Sequence, residues 1–260
     1  MSTSNPTIIL SVNNLQVKAG NKTLLRTTHE EFSEGEFWAI VGANGAGKST
    51  FLKAISGDNN YTGDILLHGK ELRQWDSMER ARHVGVLPQS SILSFAFKAK
   101  EVVELGLTPL SLSREQAEQV VNECMRRCDC LHLADEYYPQ LSGGEQQRVN
   151  LARVLVQISQ AKQTPVLLLD EALSAQDLGH QHQLLEFVTQ LCKQHNILIV
   201  GVLHDLNHVL KYCDKALLID QGKAVQKGNV EDVLNAENIE RCWKYKAEFA
   251  SSSEGYKLII

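Results

Sequence analysis

No run of apolar residues in this 260-residue chain approaches the roughly 18 needed to cross a bilayer as a helix. No membrane-spanning helix is expected in this sequence, and any service to a membrane would go through a partner at its surface. The opening residues, Met1 to Pro6, are polar and do not read as a signal peptide. Basic residues are not in excess: 26 Lys and Arg stand against 31 Asp and Glu, a net charge of −5. Nucleic acid is therefore not favoured as a partner. The cysteines Cys124, Cys128, Cys130, Cys192, Cys213 and Cys242 include no CxxC pair, and no second half of a zinc site follows the cluster of three. Thiols packed in helices, in a reducing compartment, are the simpler reading. Internal repeats and low-complexity stretches are also missing. Length and a 43% hydrophobic content suit one large α/β unit, or a core with a small insert.

What is present is alternation. Ile8 to Val17 alternates apolar and polar residues, as a half-buried strand does, and Gly20-Asn21 turns it back toward Thr23. Phe37 to Val41 is apolar throughout, the pattern of a strand buried on both faces. A helix is expected from Lys48 to about Ser56, stopped by Gly57. Ile65 to Leu67 and Val84 to Leu87 read as further strands. After Pro88 the texture turns helical, with spacing for helices at Glu101 to Leu105, Arg114 to Arg127 and Glu145 to Gln157. Strands return at Val166 to Leu169 and Ile197 to Val200, around a helix from about His180 to His195. A hairpin, Ala216 to Ile219 and Lys223 to Val225, turns at Gln221-Gly222, before a short helix and a mixed tail. Strands alternating with helices predict a parallel sheet.

Two segments start helices with glycines and so aim unpaired N–H groups and a positive dipole end at an anion. The first, Gly42-Ala43-Asn44-Gly45-Ala46-Gly47-Lys48-Ser49-Thr50, fits GxxxxGK[ST] without mismatch, between a buried strand and a helix. Its glycines let the backbone curl round phosphate; Lys48 would reach the β- and γ-phosphates, Ser49 a magnesium ion, and Thr50 the α-phosphate side. The strand Val166 to Leu169 ends in Asp170 and Glu171, at the edge where open α/β sheets bind ligands. Asp170 would hold magnesium through water, and Glu171 would polarise an attacking water.

At the second segment, Leu141-Ser142-Gly143-Gly144-Glu145-Gln146, the chain resembles the ATP-binding cassette family, whose signature this is. Gln89 matches that family's glutamine loop. Ser174-Ala175-Gln176-Asp177 resembles the loop that usually reads Ser-Ala-Leu-Asp. His204, in Leu203-His204-Asp205, matches its switch histidine. The resemblance runs from about Ile8 to Leu234. It implies a P-loop nucleotidase fold: an α/β core with a mostly parallel sheet and an N-terminal antiparallel β subdomain, residues 1–88 and 163–260, and an inserted helical subdomain, residues 89–162. It also implies a head-to-tail homodimer. Each ATP would lie between one chain's Gly42, Asn44, Gly45, Ala46, Gly47, Lys48, Ser49 and Thr50 and the other chain's Ser142, Gly143 and Gly144, with Asp177 as a cross-dimer contact. Catalysis would fall to Glu171, His204 and Gln89, and Mg²⁺ to Ser49, Gln89 and Asp170.

Three departures from the family pattern stand out. Ala19 occupies the place of the usual adenine-stacking aromatic, so no adenine platform is assigned. Ala172-Leu173 replaces Pro-Thr, and Gln176 replaces leucine. One cassette without a membrane span resembles an importer subunit. Such a subunit works on the cytoplasmic face of the bacterial inner membrane under a separate permease dimer, and is served indirectly by a periplasmic binding protein. Ser94-Phe95-Ala96-Phe97 could seat a permease helix. That segment, Leu178 to Gln183 and Leu203 to Asn207 are similar to the subgroup serving haem, siderophore and cobalamin importers, and the helix start and tail point most to haem. His180 and His182, two apart, fall on different sides of a helix and read as a solvated face.

Overall fold

The computed structural model describes residues 7–89, 96–171, 177–253 and 255–260. Along the chain run strands β1 (Ile8–Ala19), β2 (Lys22–Arg26), β3 (His29–Ser33) and β4 (Phe37–Val41), helix α1 (Lys48–Ser56), and β5 (Thr62–Leu67) and β6 (Lys70–Glu71). Next come α2 (Ser77–His83), β7 (Val84–Leu87), α3 (Ala99–Glu104), α4 (Arg114–Arg127), α5 (Gly143–Ile158), β8 (Val166–Asp170) and α6 (Leu178–His195). The chain closes with β9 (Leu198–Val202), α7 (Leu206–Tyr212), β10 (Lys215–Asp220), β11 (Lys223–Asn229), α8 (Val230–Val233), α9 (Ala236–Trp243), β12 (Phe249–Ser251) and β13 (Lys257–Ile259). Among the described residues no helix is long and apolar enough to cross a membrane.

The chain divides into two compact units, Met1–Gln74 with Leu184–Ile260, and Trp75–Gln183. In the first, β4 is buried at every residue and pairs in parallel with β10 on one side and β9 on the other, with Ile40 opposite Leu217 and Val202. Parallel strands covered on both faces require continuous apolar sequence, which Phe37 to Val41 and Leu198 to Val202 supply. The N-terminal strands form the antiparallel part: β1 pairs with β2, β3 and β5. Helix α1 keeps the predicted bounds because Gly57 takes a left-handed conformation and returns its N–H to Ala54.

In the second unit β7 and β8 pair in parallel, Val84 opposite Val166 and Leu87 opposite Leu169. Helix α5 lies hard against β7 at Gly85, where a Cβ would stand 2.5 Å from Val154 Cγ1. All regular elements described between Ala99 and Ile158 are helical, as the sequence texture predicts. Cys124, Cys128 and Cys130 are buried at the end of α4 and just beyond it. Burial pushes the thiols up, Cys124 to about 11 and Cys130 to about 12. They pack as small apolar groups and are poor nucleophiles.

Candidate nucleotide-binding site

In the first unit the loop from Gly42 to Gly47 leaves the C-terminal end of β4, and His204 follows two residues after β9. Because β4 and β9 are parallel neighbours, both segments emerge at one edge of the sheet, the edge at which open α/β sheets take ligands. Gly42 (φ 150°) has no room for a side chain: a Cβ there would stand 2.1 Å from the carbonyl oxygen of Ile219. Gly45 (φ 76°) has nothing within 4 Å of a would-be Cβ, so its backbone faces open space. Asn44 is exposed with it. Ala46 is buried, donates its N–H to Ala43 O at 3.1 Å and accepts from Gly222 N–H at 2.9 Å. Gly47 caps α1, and its carbonyl accepts from Phe51 N–H at 2.9 Å.

Lys48, Ser49 and Thr50 form the first turn of α1. Lys48 is buried to 5% exposure, and its Nζ donates to the carbonyls of Gly42 at 2.9 Å and Ala43 at 3.1 Å. The ammonium is thus folded over its own loop. Ser49 and Thr50 are half-buried. Gly42→Ala is expected to lower the unfolding free energy by about 3 kcal/mol or more, since the methyl overlaps backbone and φ is unfavourable to an L side chain. The check is the urea midpoint of the full chain; an unchanged midpoint would refute the close approach.

His204 is exposed, immediately before a capped helix. The Asp205 carboxylate accepts from Asn207 N–H at 2.8 Å and His208 N–H at 3.2 Å and so starts α7. Asn207 is fixed from the far end of the sequence. Its amide donates to Ile259 O at 3.1 Å, and its carbonyl accepts from Ile259 N–H at 2.8 Å. This seam between α7 and β13 joins residues 52 apart and leaves no local signal in the sequence. Only the Asp205 cap had a local signal.

In the second unit β7 leads through Pro88 to Gln89, and β8 ends at Asp170 with Glu171 directly after. The parallel pairing of β7 and β8 brings these three residues to one strand edge. Gln89 is exposed; Asp170 and Glu171 are half-buried. Glu171 has φ 51°, left-handed and uncommon for a side chain of this size. That breaks the alternation of β8 and re-aims the second carboxylate away from the direction a continued strand would give it.

Ser142 caps α5, and Gly143 and Gly144 are its first helical residues. The cap is reciprocal: Ser142 N–H and Oγ–H both donate to Glu145 Oε2 at 2.7 Å, and Glu145 N–H donates back to Ser142 Oγ at 3.4 Å. These bonds hold the Glu145 carboxyl below its usual range. The Ser-x-x-Glu spacing is a capping-box signal legible in sequence. Gly143 is open to within 4 Å, whereas a Cβ on Gly144 would stand 2.8 Å from His180 Cδ2. Asp177 is exposed just before α6 and bonds His180. His180 is therefore engaged rather than simply solvated; His182 is half-buried. Ala19 is exposed at the end of β1. Ser94, Phe95 and residues 172–176 lie outside the described residues.

The family described as ABC transporter matches residues 25–174. A hemin import ATP-binding protein, HmuV, of Shewanella denitrificans is 41% identical over 253 residues, 97% of this chain and 100% of the relative. The protein of the same name from Vibrio cholerae serotype O1 is 44% identical over 245 residues, 94% of this chain and 95% of the relative. Among solved structures, cbiO1 of Clostridium perfringens, part of the ABC transporter complex cbiONQ, superposes with a TM-score of 0.79 at 26% identity, covering 90% of this chain and 94% of that one. By the family match and these near full-length relatives, the chain belongs to the ABC transporter family and is an ATP-binding, ATP-hydrolysing cassette.

Proposed function

We propose that this cassette drives import of haem into a bacterial cell, working as a homodimer on the cytoplasmic face of the inner membrane beneath a separate permease dimer. A periplasmic binding protein would feed that permease. The likeness that carries the cargo is near full length: both relatives named for hemin import align with almost the whole chain. The span 89–162 is the helical subdomain in this reading, with Ala96 and Phe97 near its permease-facing start.

In the dimer each ATP is gripped by one chain and capped by the other. Lys48 turns from its loop carbonyls to the β- and γ-phosphates, and the N–H groups from Asn44 to Thr50 line the phosphate path. The donors assigned to Mg²⁺ are the Ser49 hydroxyl, the Gln89 amide oxygen and the Asp170 carboxylate. All are hard oxygen ligands, the donor set that ion prefers, and bound Mg²⁺ would neutralise phosphate charge. Glu171 orients a water and accepts its proton as the water oxygen attacks the γ-phosphorus and the bridging oxygen leaves with ADP. His204 bonds the γ-phosphate. Ser142, Gly143 and Gly144 of the second chain cap it, and Asp177 contacts across the dimer.

Ser142→Arg tests the trans arrangement. The variant is expected to bind ATP within about threefold of wild type, because its own phosphate loop is untouched, yet to fail to dimerise with ATP in a Glu171→Gln background. Sedimentation with and without ATP reads this, and normal dimerisation would refute the trans cap. Co-purification with an integral membrane partner and haem-dependent ATP turnover of that complex in vesicles would test the cargo. Stimulation by a ferric siderophore or cobalamin instead of haem would replace haem by that cargo.

A further inference from the structure

Two segments of the proposed dimer face meet in one side chain. Asp177 stands directly before α6, and its carboxylate takes two bonds from His180: the backbone N–H reaches Oδ1 at 3.0 Å and the ring Nδ1 reaches Oδ2 at 2.6 Å. A carboxylate only accepts, so Nδ1 carries the proton. The other edge of the same ring lies over the first turn of α5, with Cδ2 2.8 Å and Nε2 3.2 Å from where a Gly144 Cβ would be. A side chain at Gly144 would push the imidazole from this place. Gly143, by contrast, meets nothing. The second signature glycine thus has a reason in its own chain, apart from any phosphate.

We propose that His180 is a positioning residue that yokes the Asp177 loop to the signature turn, so that a chain presents both to its partner as one piece. The inference rests on the dimer reading above. Stability is not the purpose: the His180 and Asp177 side chains are 43% and 69% exposed, and polar contacts so open to water add little to folding. Held geometry is what the pair supplies, because a cross-dimer contact and a phosphate cap must arrive in register for closure to be productive.

The test uses the full chain and two variants. His180→Ala removes the donor and the ring. His180→Asn keeps an N–H donor near the place of Nδ1. We expect both variants to lose about tenfold in kcat for ATP, with KM within about twofold, because asparagine keeps a donor for Asp177 but has no ring edge to lie over Gly144. Wild-type kcat in the alanine variant, a loss confined to KM, or an asparagine variant with wild-type kcat would each overturn the yoke. In the nucleotide-free chain the His180 Cδ2 proton is expected to give a nuclear Overhauser contact to the Gly144 α-protons. Its absence overturns the yoke whatever the turnover. A wild-type chain with no ATP turnover defeats the functional reading alone, and the ring-to-glycine contact still decides on the yoke.

Discussion

Glu171→Gln should reduce ATP turnover by about a hundredfold or more while leaving ATP binding in place, the loss typical of removing a general base. Gln keeps the shape and the hydrogen-bonding reach of Glu and removes only its charge and basicity. Both residues bear the same backbone cost at φ 51°, roughly 1 kcal/mol for a non-glycine residue in the left-handed region. The fold is therefore matched between the two proteins, and a fall in rate reports chemistry. Steady-state phosphate release gives kcat, and equilibrium titration with a fluorescent ATP analogue gives affinity. On the dimer reading, the same variant should accumulate as an ATP-bound dimer, because the γ-phosphate is no longer cleaved. Turnover equal to wild type would remove Glu171 from its role as the base and assign that role to another group.

Lys48→Ala should weaken ATP binding by about a hundred- to a thousandfold. Hydrogen bonds to charged groups contribute about 1.5–3 kcal/mol each, and the ammonium would make two to the β- and γ-phosphates. In the free chain its protons already have acceptors, the carbonyls of Gly42 and Ala43. Phosphate must compete with those bonds, which places the effect at the lower rather than the upper end of that sum. Truncation also leaves the two carbonyls without their Lys48 donor, so some loss of loop order is expected with the loss of charge. Lys48→Met, which fills the same volume without charge, separates the two: similar affinity loss in Met and Ala assigns the effect to charge. Binding within threefold of wild type for either would refute the phosphate role.

The parts legible in sequence were those whose causes are local. Helix α1 was bounded at both ends because Gly47 and Gly57 are consecutive punctuation around an apolar face. Strand β4 was legible because only double-sided burial explains five apolar residues in a row. The elements that escaped are short, polar or made by distant partners. Strand β3 reads His-Glu-Glu-Phe-Ser, and becomes a strand because β1 pairs with it. Helix α2 has almost no apolar face and depends on the Asp76 cap, which accepts from Met78 and Glu79. Strands β12 and β13 pair with each other, and β13 is sewn to α7 through Asn207. Residue types and spacing named Gln89, Asp170, Glu171 and His204, which follow or end β7, β8 and β9. They did not give the turn of Glu171 or the engagement of His180, since a dihedral angle and a ring packed on another helix leave no trace in spacing.

The Glu145 cap changes what closure costs. A carboxylate bonded to both the N–H and the hydroxyl of Ser142 is an anion already resident at the signature turn. Tethered three residues away, it acts as a competitor at high effective concentration. On the dimer reading, a partner's γ-phosphate is not filling an empty seat but exchanging with a sitting tenant that never leaves the neighbourhood. The net free energy of capping is then a difference between two anions rather than the full worth of one. A small difference suits a clamp that must release within each cycle: once the phosphate is cut away, the resident carboxylate is there to retake the hydroxyl, and reopening needs no outside help.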